Sequence, residues 1–308
     1  MSQKRDHGGG LDAAVASYGG VRGGWLDLST GINPVSYPVG DVSPEAWTAL
    51  PDQGAMDRLL AAARAFWNVP DGAEIVAANG ASALIAAMPH MWAGTRVSIP
   101  APTYNEHGAA FAANGWDVVG DGSADVSVVV HPNNPDGRVW QVTQHPPPVV
   151  IDESFCDVMP EASYVGIAVH PETIVLKSFG KFWGLAGARL GFAICAPEIA
   201  QRLRDQLGPW AVAGPTLEIG ARALEDVAWA DAARVRLAAD AKRLDELVGW
   251  PLVGGTDLFR TYEVPDAAAM QGMLAQSHVW SRIFPYSKTW IRLGLPAPDR
   301  WSQLEATL

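Results

Sequence analysis

Ser178, Lys181 and Arg189 stand three and eight residues apart, behind a run of apolar residues, and their types suit a common task. A lysine that can reach a carbonyl and shed its proton forms a Schiff base. A serine hydroxyl and the planar fork of an arginine on either side of it could grip one phosphate. Asp152, in Ile151-Asp152-Glu153, ends a second apolar run. An acid at the carboxyl end of a strand lies on the ligand-binding rim of an open α/β sheet, where it could hold a proton on a heterocyclic nitrogen. Taken singly, a surface lysine in a glycine-rich loop, and a helix N-cap or structural ion pair at Asp152, are the commoner explanations of these residues, and Lys177 is a competing lysine.

Three more pieces come earlier in the chain. Asn79-Gly80-Ala81-Ser82 joins an expected strand to an expected helix, Ala83–Met91, and such a turn offers backbone N–H groups and a helix dipole to a phosphate, or a plain N-cap at Ser82. Pro102-Thr103-Tyr104 follows another strand, and Tyr104 could stack on a flat ring or be an ordinary buried tyrosine. Asn133-Asn134-Pro135-Asp136-Gly137 reads as a turn, with Asn134 able to hydrogen-bond a phenolic oxygen.

The order of the five pieces is more specific than any one of them. N-G-A-S, P-T-Y, N-N-P-x-G, D-E-x-F and S-x-x-K-x7-R, all at strand ends, resemble the fold-type I pyridoxal-phosphate enzymes of the aspartate aminotransferase superfamily. The likeness spans Asn79 to Arg189 and, less sharply, the whole chain. It implies pyridoxal 5'-phosphate as cofactor, with Lys181 as the Schiff-base lysine, Asp152 on the pyridine nitrogen, Asn134 on the 3-oxygen and Tyr104 stacked on the ring. It also implies that Ser178, Arg189 and the turn Gly80, Ala81, Ser82 hold the cofactor phosphate. The eight-residue interval to Arg189 fits Lys181 and not Lys177.

Within that superfamily the chain is most similar to the L-threonine-O-3-phosphate decarboxylase branch of cobalamin biosynthesis, itself related to histidinol-phosphate aminotransferases. The likeness rests on His7-Gly8-Gly9, on Leu26-Asp27-Leu28-Ser29-Thr30-Gly31-Ile32-Asn33-Pro34, on Phe155 three residues after Asp152, on Lys181-Phe182-Trp183 and on Pro209-Trp210. It implies a homodimer acting on a small amino-acid phosphate, with Arg292 on the α-carboxylate, Asn33 assisting there, and Arg282 and His7 on the substrate phosphate. Leu50-Pro51 stands where relatives commonly have Tyr-Pro. The rival activities are transamination of a histidinol-phosphate-like substrate and a non-catalytic binder that keeps the fold.

Those motifs need elements to carry them. Short runs at Glu74–Ala77, Arg96–Ile99, Asp117–Val119, Val126–Val130, Val149–Ile151, Thr173–Leu176 and Leu190–Ile194 are mostly continuously apolar, as in strands covered on both faces. They predict an α/β fold with a mostly parallel seven-stranded sheet flanked by helices. An extended Gly- and Pro-rich N-terminal arm (1–45), a large cofactor domain (46–208) and a smaller C-terminal α+β domain (209–308) complete the expected organisation. The small domain is expected to hold a long helix from about Leu217 to Val248, broken once, and strands at Leu258–Glu263 and Trp290–Leu293. Only 18 residues, several of them proline, separate Val130 from Val149. The crossover helix that a parallel pair usually needs is therefore cut down or missing.

Composition narrows the function classes. A net charge of −11 argues against nucleic acid as a partner, so any anionic ligand needs a local basic cluster. The seven histidines are dispersed, neither C-x-x-C nor H-E-x-x-H occurs, and Gly180-Lys181 is not a Walker loop; no metal site is expected. Cys156 and Cys195 are expected as buried thiols. With no membrane segment or leader-like run expected, the reading is a cytoplasmic protein.

Overall fold

All seven apolar runs form strands of one sheet. In the computed structural model, which describes residues 7–120 and 122–308, they lie side by side in the order Glu74–Asn79, Leu190–Cys195, Thr173–Ser178, Val149–Asp152, Val126–Val130, Arg96–Ser98, Asp117–Val119. Neighbours run parallel except at Leu190–Cys195, which opposes both strands beside it. The other six strands consequently end at one edge. Register makes this concrete: Asn79 stands opposite Leu190, Ser178 opposite Gly191, and Val130 opposite Asp152. Each motif follows or ends one of these strands, so topology alone delivers it to the same edge. Arg189 precedes the reversed strand and reaches that edge from the strand's beginning.

The inner strands of the sheet are buried, which is why they read as unbroken apolar runs; Leu190–Cys195 is buried at every position, while the edge strand Asp117–Val119 stays largely exposed. On one face Leu84 and Ile85 pack with Val76, Val97 and Ile174. Leu84 is fully buried, where truncation to Ala costs about 2–5 kcal/mol. The helix carrying it starts earlier than expected, at Ala81, and tightens into a 3-10 turn at Met88–His90, since Pro89 has no N–H to continue the α pattern. Between Val130 and Val149 the crossover contains no α-helix, only the 3-10 turn Val142–Gln144.

By internal contacts the described chain forms two units, Ser36–Asn134 with Val139–Asp231, and residues 7–35 with Pro135–Arg138 and Ala232–Leu308. The sequence divides differently, at 45 and 208. One reason is the helix Gly214–Glu225, which packs on Gln53–Phe66 in the sheet-bearing unit. Gly220 permits that approach: a Cβ there would stand 2.7 Å from Leu190 and 3.0 Å from Leu59. The long helix is broken once, at Asp226, and resumes as Val227–Val248.

The second unit contains a four-stranded antiparallel sheet in the order Arg282–Phe284, Ser287–Gly294, Phe259–Glu263, Leu252–Thr256. Its N-terminal part is not an extended arm throughout. Leu11–Tyr18 is a helix whose Leu11 and Ala14 pack with Trp25 and Ala275, and Leu26–Asp27 pairs in parallel with Val279–Trp280. Burial of that small apolar face supplies what a glycine-rich segment lacks in local propensity. Residues 1–6 of the expected arm lie outside the described residues. Among the described residues, no helix is long and apolar enough to cross a membrane.

Candidate active site

A pocket at the common strand edge is lined by Gly80, Ala81, Ser82, Tyr104, Asn134, Asp152, Phe155, Ser178, Lys181 and Arg189. All the residues that the resemblance assigns to the cofactor thus meet in one cavity of the sheet-bearing unit. Asp152 is 1% exposed. Burial alone would favour its neutral form, yet His107 Nε2 at 2.7 Å, Ser154 Oγ at 2.5 Å and the Ser154 amide at 3.0 Å donate to it. These bonds outweigh burial and hold the carboxyl below its ordinary value of 3.8. An ionised acid at the rim of a cavity can accept a further bond from a cationic or N–H group of a ligand.

His107 was not among the sequence-expected site residues. It sits in helix Asn105–Ala113, three residues after Tyr104, and is fully buried. The available signal was its spacing of four from the buried Phe111, which puts a histidine on the apolar face of a short helix.

The opposite end of the pocket is shaped by glycines. Gly80 has φ +81°, and a Cβ on it would stand 2.6 Å from Arg189 Nη2. The guanidinium thus lies directly against the turn that follows Asn79. Gly191 is equally constrained: a Cβ would fall 2.2 Å from the Ala81 amide nitrogen. Arg189 itself adopts φ +52°, a left-handed conformation that costs a non-glycine residue roughly 1–2 kcal/mol. With Ser178 on the same rim, the combination makes a cradle for a phosphate.

Lys181 is fixed by its flanks. Phe179, Phe182 and Trp183 are almost wholly buried, with Trp183 stacked between Phe179 at 5.2 Å and Trp229 at 5.3 Å. The Lys181 ammonium lies 5.4 Å from the centre of the Phe155 ring. Lys177, the competitor, faces elsewhere, bound to Glu153 at 2.6 Å and to Asp157 at 3.4 Å. Cys156 and Cys195 are buried free thiols, both pushed up mainly by burial.

The residues expected at the substrate belong to the other unit. Arg282 and Arg292 are register partners on adjacent strands. Burial and then the charge of Arg282 push the Arg292 guanidinium below its ordinary value, an environment that a bound anion would relieve. Arg292 Nη2 donates to the Ser29 carbonyl at 2.8 Å. Asn33 is buried, its Oδ1 accepting from Arg236 Nη2 at 2.8 Å and from the Val35 amide at 3.0 Å. His7 is exposed at the start of the described chain.

The family model for aminotransferase class I and II matches residues 122–301, more than half of the chain. The chain belongs to this aminotransferase family. It is 39% identical to a threonine-phosphate decarboxylase of Pseudomonas aeruginosa across 98% of this chain and 97% of that protein. With a threonine-phosphate decarboxylase of a Sinorhizobium species it shares 38% identity across 97% and 95%. A histidinol-phosphate aminotransferase structure from Sinorhizobium meliloti, in complex with pyridoxal-5'-phosphate, superposes with a TM-score of 0.82 at 17% identity, covering 97% of this chain and 93% of that one. Aminotransferase-family enzymes of this class depend on pyridoxal 5'-phosphate, and the residues present fit it. The pocket offers an amine for the aldehyde, an ionised acid for the ring nitrogen, and an arginine and a serine at a turn where a Cβ would leave no room for the guanidinium.

Proposed function

We propose that the chain is a pyridoxal-phosphate-dependent carboxy-lyase that converts L-threonine O-3-phosphate into (R)-1-aminopropan-2-yl phosphate and CO2, as a cytoplasmic homodimer in cobalamin biosynthesis. The observation that carries the reading is the 39% identity to a threonine-phosphate decarboxylase along essentially the full length of both proteins. The superposed aminotransferase, at 17% identity, shares the fold alone and does not bear on the choice of reaction. Trp47 and Leu50 are exposed on the segment before the helix Gln53–Phe66, where a second copy of the chain could cover them. The buried, unpaired thiols agree with a reducing compartment.

When bound, pyridoxal phosphate supplies an aldehyde that captures the substrate amine and a protonated ring that accepts the electrons of one Cα bond. The chain's residues make that chemistry selective. Lys181 presents its amine against Phe155, and Asp152, kept ionised by His107 and Ser154, holds a proton on the ring nitrogen. Asn134 binds the 3-oxygen, Tyr104 covers the ring face, and Ser178, Arg189 and the turn at Gly80, Ala81 and Ser82 hold the cofactor phosphate. Arg292 takes the carboxylate in a bidentate grip with Asn33 beside it, while Arg282 and His7 take the phosphate ester. Decarboxylation and transamination differ in which Cα bond is aligned for cleavage, and the cations that grip the two ends of the substrate set that alignment.

Incubating the holo-protein with O-phospho-L-threonine and no keto acid tests the reading. Release of one CO2 per substrate consumed is the expected result; conversion of the cofactor to its amine form without CO2 would make the protein a transaminase. Mass analysis after borohydride reduction is expected to place the cofactor on Lys181.

A further inference from the structure

We propose that Ser29 is a positioning residue that holds His7 in place for the phosphate ester of the substrate. The inference rests on the reading above and deepens it. Ser29 is 1% exposed, and each of its polar atoms is committed. Its Oγ donates to Asp27 Oδ1 at 2.6 Å and accepts from the Gly9 amide at 2.7 Å. Its amide donates to the same carboxylate at 2.9 Å, and its carbonyl accepts from Arg292 Nη2 at 2.8 Å. One buried residue therefore touches both the segment that carries His7 and the arginine expected at the carboxylate.

The segment has little local propensity of its own to stay in place. Gly8, Gly9 and Gly10 follow His7, and Gly9 and Gly10 adopt φ +85° and +75°. Glycines lose the most freedom on ordering, so an untethered run would leave His7 to be localised only at the expense of substrate affinity. Tertiary contacts remove that freedom in advance. Besides the Ser29 bond to Gly9, the Trp280 indole donates to the Gly9 carbonyl at 3.0 Å. Gly8 lies so close that a Cβ would stand 2.4 Å from the Ser29 carbonyl oxygen. Strand pairing of Leu26–Asp27 with Val279–Trp280 supplies the rigid base for both anchors.

Two variants approach this contact from opposite sides: Ser29→Ala removes the hydroxyl, and Gly8→Ala forces the segment off the Ser29 carbonyl. Loss of one hydrogen bond of ordinary strength corresponds to a change of about three- to tenfold. Each variant is expected to raise the KM for O-phospho-L-threonine by about that factor, while the Kd for L-threonine, which lacks the phosphate ester, changes less than about twofold. His7→Ala is expected to show the same phosphate-selective loss, and Ser29→Ala combined with His7→Ala should be no worse than His7→Ala alone. A merely structural serine would weaken both ligands alike. The inference is overturned if Ser29→Ala and Gly8→Ala leave the ratio of the two affinities unchanged while His7→Ala alters it. If His7→Ala leaves that ratio unchanged as well, the assignment of His7 falls together with the inference, and the CO2 assay, which does not depend on Ser29, judges decarboxylation separately.

Discussion

Lys177 and Lys181 are four residues apart and occupy opposite electrostatic settings. Lys177 is sealed between Glu153 and Asp157, and the chain satisfies those carboxylates from every side. Glu153 also accepts from Ser163 Oγ at 2.7 Å and the Tyr164 amide at 2.5 Å, and Asp157 from the Trp67 indole at 3.0 Å. Burial works against the Lys177 charge, but the two carboxylates prevail and raise its pKa. Lys181 instead lines a cavity with Asp152, Ser178 and Arg189. Neighbours in sequence repeat the division: Glu153 joins the closed cluster and Asp152 the pocket, Lys177 the cluster and Ser178 the pocket. Extended backbone turns successive side chains to opposite faces, so two adjacent charged residues serve different ends without competing. Charges sealed among other side chains hold the fold together, and charges that line a cavity are placed where a ligand can reach them.

The sharpest test of that rule is to exchange the phenotypes of the two lysines. Lys181→Ala is expected to lower kcat on the order of 10⁴-fold or more, as loss of a covalent catalytic group does, with the midpoint of urea unfolding of the cofactor-free protein nearly unchanged. Lys177→Met should do the reverse. It leaves two buried carboxylates facing an apolar side chain and is expected to cost about 3–5 kcal/mol of stability, read as a lower urea midpoint, while refolded protein still takes up cofactor at Lys181. Equal loss of cofactor attachment in both variants would break the comparison.

Sequence legibility follows the same physical line. The large sheet could be read because burial on both faces writes itself into Val149–Asp152 or Leu190–Cys195 as an unbroken apolar run. The strand Leu252–Thr256 could not, since its two central glycines, Gly254 and Gly255, look like a turn in the sequence and serve instead a close approach of backbone to backbone. A Cβ on Gly254 would meet the Asp136 carbonyl at 2.1 Å. The regrouping of residues 7–35 with the C-terminal unit depends on non-local pairing, such as Leu26 with Val279, that leaves no periodic trace. In the pocket, motif order was sufficient to name Lys181 and Asp152, but the hydrogen bond from His107 spans 45 residues and has no motif.

His107 offers a way to sharpen the contrast from the pocket's side. Asp152 has a depressed folded pKa, so its ionisation contributes stability that is fully present above the ordinary carboxylate value and is lost as pH falls through the folded value. His107→Phe removes the donor and leaves burial in charge, which raises the Asp152 pKa. A loss of about 1.5–3 kcal/mol is expected at neutral pH, the usual size for a hydrogen bond to a charged group. The acid midpoint of unfolding should also move to higher pH. An unchanged acid limb would mean that Ser154 alone keeps the carboxylate ionised.

The smallest expected effect comes from carrying the comparison into the second unit. Arg236 is compensated as Lys177 is, by Asp240 at 3.4 Å one helical turn away and by Asn33 Oδ1 at 2.8 Å. Arg292 differs in setting: its buried guanidinium donates to a backbone carbonyl, that of Ser29, and is pushed down by burial and then by Arg282. The proposed function assigns Arg292 to ligand and leaves Arg236 to structure, even though each bonds to the same N-terminal stretch, Arg292 at Ser29 and Arg236 at Asn33. Arg236→Met forfeits a partly exposed bond, for which about 0.5–1.5 kcal/mol of stability is the expected loss, and the KM for O-phospho-L-threonine should rise no more than about threefold. A rise as large as that of Arg292→Leu, measured side by side, would show that a compensated cation can still be a ligand-binding one, and the division drawn between the two lysines would then hold only within the sheet-bearing unit.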